Sequence, residues 1–371
     1  MKISLDKILL LFLIIQYLVL PIYKFYELNF GLPYINFAII RVFLFIVTFL
    51  SLLLVRSEKI TIRLKSKSYL IFYFFYFFCV FIILVNVDLY FLDSIYSKAY
   101  LNRVDSVVIL YPLMFLAGHY ANKSWDKYIN ISFLVFSFVL ILNSQILIDS
   151  YINFIIESPI NYIKVSDSYL FIALLNFKKI KNNKYFYITS IICLLLVPAR
   201  SNFVLYLFFS LYFMEFYKNW KVLLFIAIFI CLTILFLLQN EIYLDLVLGS
   251  RFNFDITSSD TSLIARIRTI MDNFNLSFIE FFTGNYMTDI SKFKEEGSEA
   301  HSHISILNQF GLVPFILFLI MLFVSFKKSN QNKREIKIMV WIFNISIMFF
   351  KSFLYPFFFF NLTFSNNKNN E

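Results

Sequence analysis

Apolar runs of roughly 20 residues recur along this 371-residue chain, and each is long enough to cross a hydrocarbon core of about 30 Å. The chain is 60% hydrophobic and only 15% charged, whereas a soluble domain carries about 25% charged residues. Strands of a transmembrane barrel would alternate apolar and polar residues over about 10 positions, and these runs do not alternate. The sequence therefore predicts an all-α polytopic membrane protein.

About eleven transmembrane helices are predicted. They are Leu5–Tyr23, Leu32–Val55, Tyr69–Val87, Val104–Tyr120, Ile129–Ile148, Ser168–Phe177, Tyr185–Pro198, Phe203–Tyr217, Val222–Leu238, Ile304–Phe326 and Ile338–Phe360. Residues 1–239 then hold about nine spans, and residues 304–360 hold the last two. Residues 240–303 form one long polar loop, and residues 361–371 form an Asn-rich tail that we expect to be disordered.

Lysine and arginine residues mark the cytoplasmic side of a membrane protein. If the spans simply alternate, twenty of the 33 Lys and Arg residues fall in loops on one side. This places the N-terminus in the cytoplasm, and the C-terminus and the 240–303 loop outside it. The loop has ten acidic residues against five Lys and Arg. The net charge of +10 is thus a topology signal, and no nucleic-acid partner is predicted.

A short turn, Pro198 to Asn202, separates two spans of only about 14–15 residues, so we expect it to lie below the outer membrane surface. The next helix starts at this turn, and a helix N-terminus presents free N–H groups and a positive dipole end. Ser201 or Asn202 can cap that helix. Together with Arg200, the turn predicts a phosphate or diphosphate site. The alternative is an interfacial arginine that snorkels to the membrane surface.

The long loop contains one amphipathic helix, because apolar residues recur at helical spacing from Leu263 to Phe274. Arg266 and Arg268 flank opposite edges of the apolar stripe, and the helix can lie along the outer membrane surface. Both arginines are therefore candidates for binding an anion. The alternative is that they only anchor the helix to lipid headgroups.

Two histidines, His301 and His303, stand just before the span that begins at Ile304. Histidine is the side chain best able to exchange a proton near neutral pH. His301 and His303 are therefore candidates for proton transfer, with His301 as base or orienter. The alternative is that one or both histidines only cap the helix start, and for His303 capping is favoured. No metal site is predicted, because the outer loops hold no further His or Cys.

Two charges fall inside predicted spans, Arg41 about 12 Å from the outer end of its helix and Lys351 near mid-span. Charges at membrane depth are costly and are functional candidates, so Arg41 is a further candidate for binding diphosphate. Asp88, Asp93 and Arg103 fall on a short outer loop, and we expect them to be solvated.

The order of these features resembles the O-antigen polymerase and O-antigen ligase superfamily over residues 185–326. The features are a basic turn between short spans, an Arg-containing loop helix, Gly284-Asn285-Tyr286, Ala300-His301-Ser302-His303 and Gln309-Phe310-Gly311-Leu312. Arg268 and Gly284 are sixteen positions apart, which is similar to the Arg-to-Gly spacing in some of these polymerases.

The resemblance implies an all-helical fold like that of the multi-span glycosyltransferases, in the bacterial cytoplasmic (inner) membrane. It implies an undecaprenyl-diphosphate-linked oligosaccharide as substrate, with no metal, nucleotide sugar or other cofactor. The expected diphosphate ligands are Arg200, Arg266, Arg268 and Arg41. The expected catalytic residues are His301, Arg268 and Arg266, and the choice between His301 and His303 stays open.

Three functions are compatible with the sequence. A polymerase for O-antigen or capsular polysaccharide is favoured, since such enzymes are many and diverse. Its partners would be the lipid bilayer, a flippase and a chain-length regulator. An O-antigen ligase, which transfers glycan to lipid A–core, is the second function. A lipid-linked glycan flippase is the third, and it is disfavoured because transporters show paired repeats and broken helices in matching halves.

Overall fold

The computed structural model describes residues 5–54, 67–145, 160–197, 202–203, 205–207, 210, 277–287, 305–329 and 356–364. Every element within these ranges is helical, as the sequence predicts. The α-helices are Leu5–Ile14, Leu20–Phe30, Phe37–Leu54, Lys67–Val85, Ser94–Arg103, Tyr111–Tyr120, Asp126–Leu142, Ile160–Leu175, Phe177–Asn182, Lys184–Leu196, Phe278–Thr283, Ser305–Phe310, Leu312–Ser329 and Phe357–Phe364. The π-helical and 3-10 turns are Ile15–Val19, Val104–Leu110, Val87–Phe91 and Lys123–Trp125.

Within the described residues, three helices are long and apolar enough to cross a membrane, namely Leu5–Glu27, Ser94–Tyr120 and Lys123–Leu142. Shorter apolar helices are Phe37–Leu52, Tyr69–Val85, Val165–Leu175, Lys184–Leu196 and Leu312–Ser325. All eight overlap predicted spans, because a long apolar run is a direct signal for a membrane helix. The total of about eleven spans stays a prediction.

Large apolar side chains on the helix surfaces point away from the protein. Phe43 is 62% exposed, Phe77 is 61% exposed and Leu142 is 67% exposed. In water, so much exposed apolar area would favour aggregation. A lipid environment removes that cost, so these surfaces fit helices packed in a bilayer.

Packing divides the chain into two compact units. The first contains Met1–Leu20, Phe30–Lys127 and Thr269–Glu371, and the second contains Pro21–Asn29 and Tyr128–Arg268. The first unit thus contains segments from both ends of the chain. The predicted division at residues 239 and 303 rests on expected membrane spans and stays a prediction.

Two neighbouring helices of the first unit, on either side of residues 86–93, run antiparallel. At one end the Tyr100 hydroxyl donates to the Ile83 carbonyl over 2.9 Å. At the other end the Tyr69 hydroxyl contacts His119 Nδ1. These contacts show which ends of the two helices lie side by side, so the position of a neighbouring helix can be given relative to either end of the pair.

A capping side chain sets the start of the second of these helices. Asp93 Oδ1 accepts the N–H groups of Ile95 and Tyr96, each over 2.8 Å. An aspartate in this position satisfies N–H groups that have no partner inside the helix. The helix therefore begins at Ser94, ten residues before the predicted start at Val104.

The last described helix, Phe357–Phe364, packs closely against the end of the Ser94–Tyr120 helix. A Cβ atom on Gly118 would collide with the Phe360 carbonyl and the Thr363 hydroxyl. The helix extends four residues past the predicted end of the last span. The helix Phe357–Phe364 lies near the Tyr120 end of the Ser94–Tyr120 helix. If the spans simply alternate, Tyr120 is on the cytoplasmic side of the membrane, whereas the end of the last span is on the outer side.

The second unit has its own aromatic core around Tyr169, which is fully buried. The ring centroid of Tyr169 lies 5.8 Å from that of Phe133 and 5.4 Å from that of Phe136. Its hydroxyl hydrogen-bonds with the Ser137 hydroxyl over 2.9 Å. A buried tyrosine keeps a partner for its polar end in this way.

Candidate functional site

Most residues predicted to carry chemistry lie outside the described residues. Arg41 is described. The candidate residues that lie outside the described ranges are Arg200, Arg266, Arg268, His301, His303 and Lys351. Their predicted roles stay predictions. The described residues do define the surroundings of Arg41 and of the segments around Gly284 and Gly311.

Arg41 forms an ion pair inside the first unit. Its Nε donates to Asp105 Oδ1 over 2.8 Å, and its Nη2 lies 2.5 Å from Asp105 Oδ2. The Nη1 atom donates to Gln16 Oε1 over 3.4 Å. The two charged side chains are only 16% and 15% exposed. This two-pronged geometry is the strongest form of arginine–carboxylate contact, and it balances the arginine charge within the protein.

Both partners of Arg41 lie in π-helical turns. Gln16 is in Ile15–Val19, and Asp105 is in Val104–Leu110. The Leu20 N–H bonds to the Ile15 carbonyl, five residues back, instead of the usual four. Such turns are rare inside α-helices and are frequent at functional sites. Arg41 therefore connects two irregular segments of two different helices.

Proline explains the position of both π turns. Pro21 and Pro112 each follow a turn closely in sequence, and proline cannot donate to the carbonyl four residues back. In α-helical register the carbonyl that Pro112 leaves without a donor would be that of Val108. It accepts a hydrogen bond from the Tyr76 hydroxyl over 3.0 Å. The prolines were the sequence signal for these turns, and the predicted spans took no account of it.

Arg103 is fully buried, so the prediction that it is solvated was wrong. The reason is the early helix start: Arg103 is the last residue of the helix Ser94–Arg103, about 14 Å from its first residue. Its guanidinium carbon lies 5.1 Å from the centroid of the Tyr286 ring. Asp88 and Asp93 are exposed, as predicted.

The structure brings the Gly284 and Gly311 segments into direct contact. The φ angles are +76° at Gly284 and +79° at Gly311, which only glycine adopts readily. A Cβ atom on Gly284 would lie 2.7 Å from the Gly311 nitrogen and 2.8 Å from the Gln309 carbonyl oxygen. Both glycines are thus required by the close backbone contact, and both segments are among the features that carry the family resemblance.

Further hydrogen bonds hold this contact together. The Asn285 N–H donates to the Asn308 carbonyl over 2.6 Å. The Met287 N–H donates to Gln309 Oε1 over 2.9 Å. Met287 has a φ of +64°, a strained value for a residue with a side chain. We call Gly284–Met287 the junction turn.

A short capped helix leads into the junction turn. Ser277 accepts from the Glu280 N–H, and the Glu280 carboxylate accepts from the Ser277 N–H, which is a complete capping box. The same carboxylate also contacts the Asn285 amide. The cap therefore fixes both the start of the helix Phe278–Thr283 and the residue that follows Gly284.

The second unit buries a polar group next to the predicted Arg200 turn. Asn202 Nδ2 donates to Asp167 Oδ1 over 2.6 Å and to Ser166 Oγ over 3.0 Å. In the described structure no donor reaches Asn202 Oδ1, so Asn202 is not the cap, and capping by Ser201, the other predicted residue, stays a prediction. Ser201 lies outside the described residues.

Comparisons with protein-family models, curated proteins and solved structures found no match to this chain. The function must therefore be inferred from the residues themselves and from the contacts between them.

Proposed function

We propose that this chain is a polymerase of O-antigen or capsular polysaccharide. It would join undecaprenyl-diphosphate-linked repeat units on the outer face of the bacterial cytoplasmic membrane, with its N-terminus in the cytoplasm. The observation that supports this most is the contact between the Gly284 and Gly311 segments. These segments carry much of the family resemblance, and they pack together beside the buried cation of Arg103.

In the proposed reaction, a hydroxyl oxygen of one lipid-linked unit attacks the anomeric carbon of the sugar on another. The glycosidic bond forms as the bond between that carbon and the phosphate oxygen breaks, and undecaprenyl diphosphate leaves. The hydroxyl proton passes to a base. His301 is the candidate base, with His303 as the alternative, because histidine accepts protons near neutral pH.

Negative charge builds up on the leaving diphosphate, and fixed cations lower the energy of that state. Arg200, Arg266 and Arg268 are the proposed ligands, since a guanidinium matches phosphate geometry in two-pronged contacts. Arg41 is the fourth candidate. Because Arg41 already pairs with Asp105, a diphosphate at this position would share or displace that carboxylate.

Alanine substitutions test the arginine role. Arg200→Ala, Arg266→Ala and Arg268→Ala should each abolish long glycan chains while the protein level in the membrane stays normal. Lys127→Ala, at an exposed position of the helix Asp126–Leu142, is the matched control and should leave chain length unchanged. Normal chain length in all three arginine variants would remove the proposed mechanism.

A deletion strain separates the polymerase from the two alternative functions. Loss of a polymerase leaves core carrying one repeat unit at the cell surface. Loss of a ligase leaves no repeat unit attached to core, and loss of a flippase traps units on the inner leaflet. The proposal expects the first of these glycan patterns.

A further inference from the structure

Arg103 is a buried cation for which the proposed reaction so far has no role. It is 0% exposed and lies within the candidate span Ser94–Tyr120. An arginine at membrane depth is costly, and such residues mark functional positions. Its surroundings therefore indicate what it does.

The Tyr286 ring faces the Arg103 guanidinium. The guanidinium carbon lies 5.1 Å from the ring centroid, within the range of a cation–π contact. Tyr286 is itself only 8% exposed. Because both groups are withdrawn from water, the attraction is stronger than at a protein surface.

Tyr286 is the third residue of the junction turn, and this turn is strained. Gly284 and Met287 both have left-handed φ angles, of +76° and +64°. A non-glycine residue keeps such an angle only where its surroundings hold it there. The Met287 side chain is 1% exposed, so in the docked turn it is shielded from solvent.

We infer that Arg103 is a positioning residue that clamps the Tyr286 ring and so keeps the junction turn docked against Asn308–Gly311. Arg103 does not touch the substrate; it acts through the turn. The clamp itself is a structural claim, whereas its importance for activity rests on the proposed glycosyl transfer.

Cysteine labelling tests the clamp without any activity measurement. Met287→Cys is placed in a chain in which Cys79, Cys193 and Cys231 are replaced by alanine, and isolated membranes are treated with a maleimide. With Arg103 present, the buried cysteine should react slowly. Arg103→Ala should speed the reaction roughly 10- to 30-fold, the factor expected from losing a desolvated cation–π contact.

Two variants of the partner separate a clamp from a direct role of Arg103 on the substrate. Tyr286→Phe keeps the aromatic face and should leave labelling and polymerisation unchanged. Tyr286→Leu removes the face, and it should speed labelling and reduce polymerisation as Arg103→Ala does. Arg103→Lys keeps the cation and should restore part of both properties.

Unchanged labelling in both Arg103→Ala and Tyr286→Leu would overturn the clamp. Normal polymerisation in Tyr286→Leu, with none in Arg103→Ala, would overturn it too, because Arg103 would then act without Tyr286. If labelling rises as expected but the unaltered protein joins no repeat units, the clamp is supported and only the proposed reaction fails.

Discussion

Two arginines in the first unit show how a charge is accommodated inside a membrane helix bundle. Arg41 is paired with the carboxylate of Asp105, and Arg103 lies against the ring of Tyr286. A charge shielded from water in this way needs such a partner because desolvation is otherwise costly. The sequence identifies Arg41 as unusual, but Asp105 is 64 positions away, so only the fold reveals the pair.

The pairing of Arg41 predicts a double-mutant result. Asp105→Leu alone leaves a partly buried cation without its carboxylate and should cost about 3–5 kcal/mol of stability. Arg41→Met together with Asp105→Leu should recover most of that loss. Thermal unfolding of the detergent-solubilised protein measures both. A double variant no more stable than Asp105→Leu alone would argue against the pair, and polymerisation by the folded double variant would exclude Arg41 as a necessary diphosphate ligand.

Glycine substitutions test the junction turn against an internal control. Gly31 has a φ of +65° and nothing within 4 Å of an added Cβ atom. Gly31→Ala should therefore cost only the left-handed backbone penalty, about 1–2 kcal/mol. Gly284→Ala adds a collision with Gly311 and Gln309 and should cost roughly a further 1–3 kcal/mol. Equal losses of thermal stability in the two variants would mean that the backbones are not in close contact.

At the scale of whole elements, hydropathy predicts the positions of helices well and their starts less well. The predicted span Tyr69–Val87 and the observed helix Lys67–Val85 nearly coincide, since the run is apolar throughout. The helix that begins at Ser94 was predicted to start at Val104, because its first ten residues include Lys98, Asn102 and Arg103. An N-cap aspartate and the buried contact of Arg103 outweigh that polarity.

The π turn next to Pro112 predicts a coupling between two side chains. Tyr76→Phe removes the donor to the Val108 carbonyl and should cost about 0.5–1.5 kcal/mol. In a Pro112→Ala background the new N–H can bond to that carbonyl, so Tyr76→Phe should then cost much less. Thermal unfolding of the four variants gives the coupling. The same cost in both backgrounds would show that proline does not cause the freed carbonyl.

On the scale of the whole molecule, the sequence predicts the class, an all-helical chain with several apolar spans, because composition and run length determine it. It does not predict which helices pack together. The contact of Gly284 with Gly311 and that of Gly118 with Phe360 depend on backbone approach between distant segments, for which periodicity carries no signal. The sequence therefore predicted which segments form the candidate site. It did not predict that Arg41 pairs with Asp105 or that Arg103 contacts Tyr286.

The packing of the last described helix, Phe357–Phe364, predicts a membrane topology that differs from simple alternation of the spans. Phe357–Phe364 packs at the end of the first unit where Tyr120 lies, and the first helix, Leu5–Ile14, packs at that same end. Simple alternation places the C-terminus on the opposite side from the N-terminus. From the packing we expect reporters fused to the two ends to lie on the same side of the membrane. Alkaline phosphatase and green fluorescent protein fusions measure this, and opposite sides would support simple alternation.

Polymerisation by the purified protein tests the proposed function most directly. The protein is reconstituted in liposomes with undecaprenyl-diphosphate-linked repeat units, without metal or nucleotide sugar, and the products are resolved by mass spectrometry. We expect products of two and more repeat units, with one undecaprenyl diphosphate released for every glycosidic bond formed. Repeat units that remain single, in the presence of protein that still shows its cooperative thermal transition, would contradict the proposal.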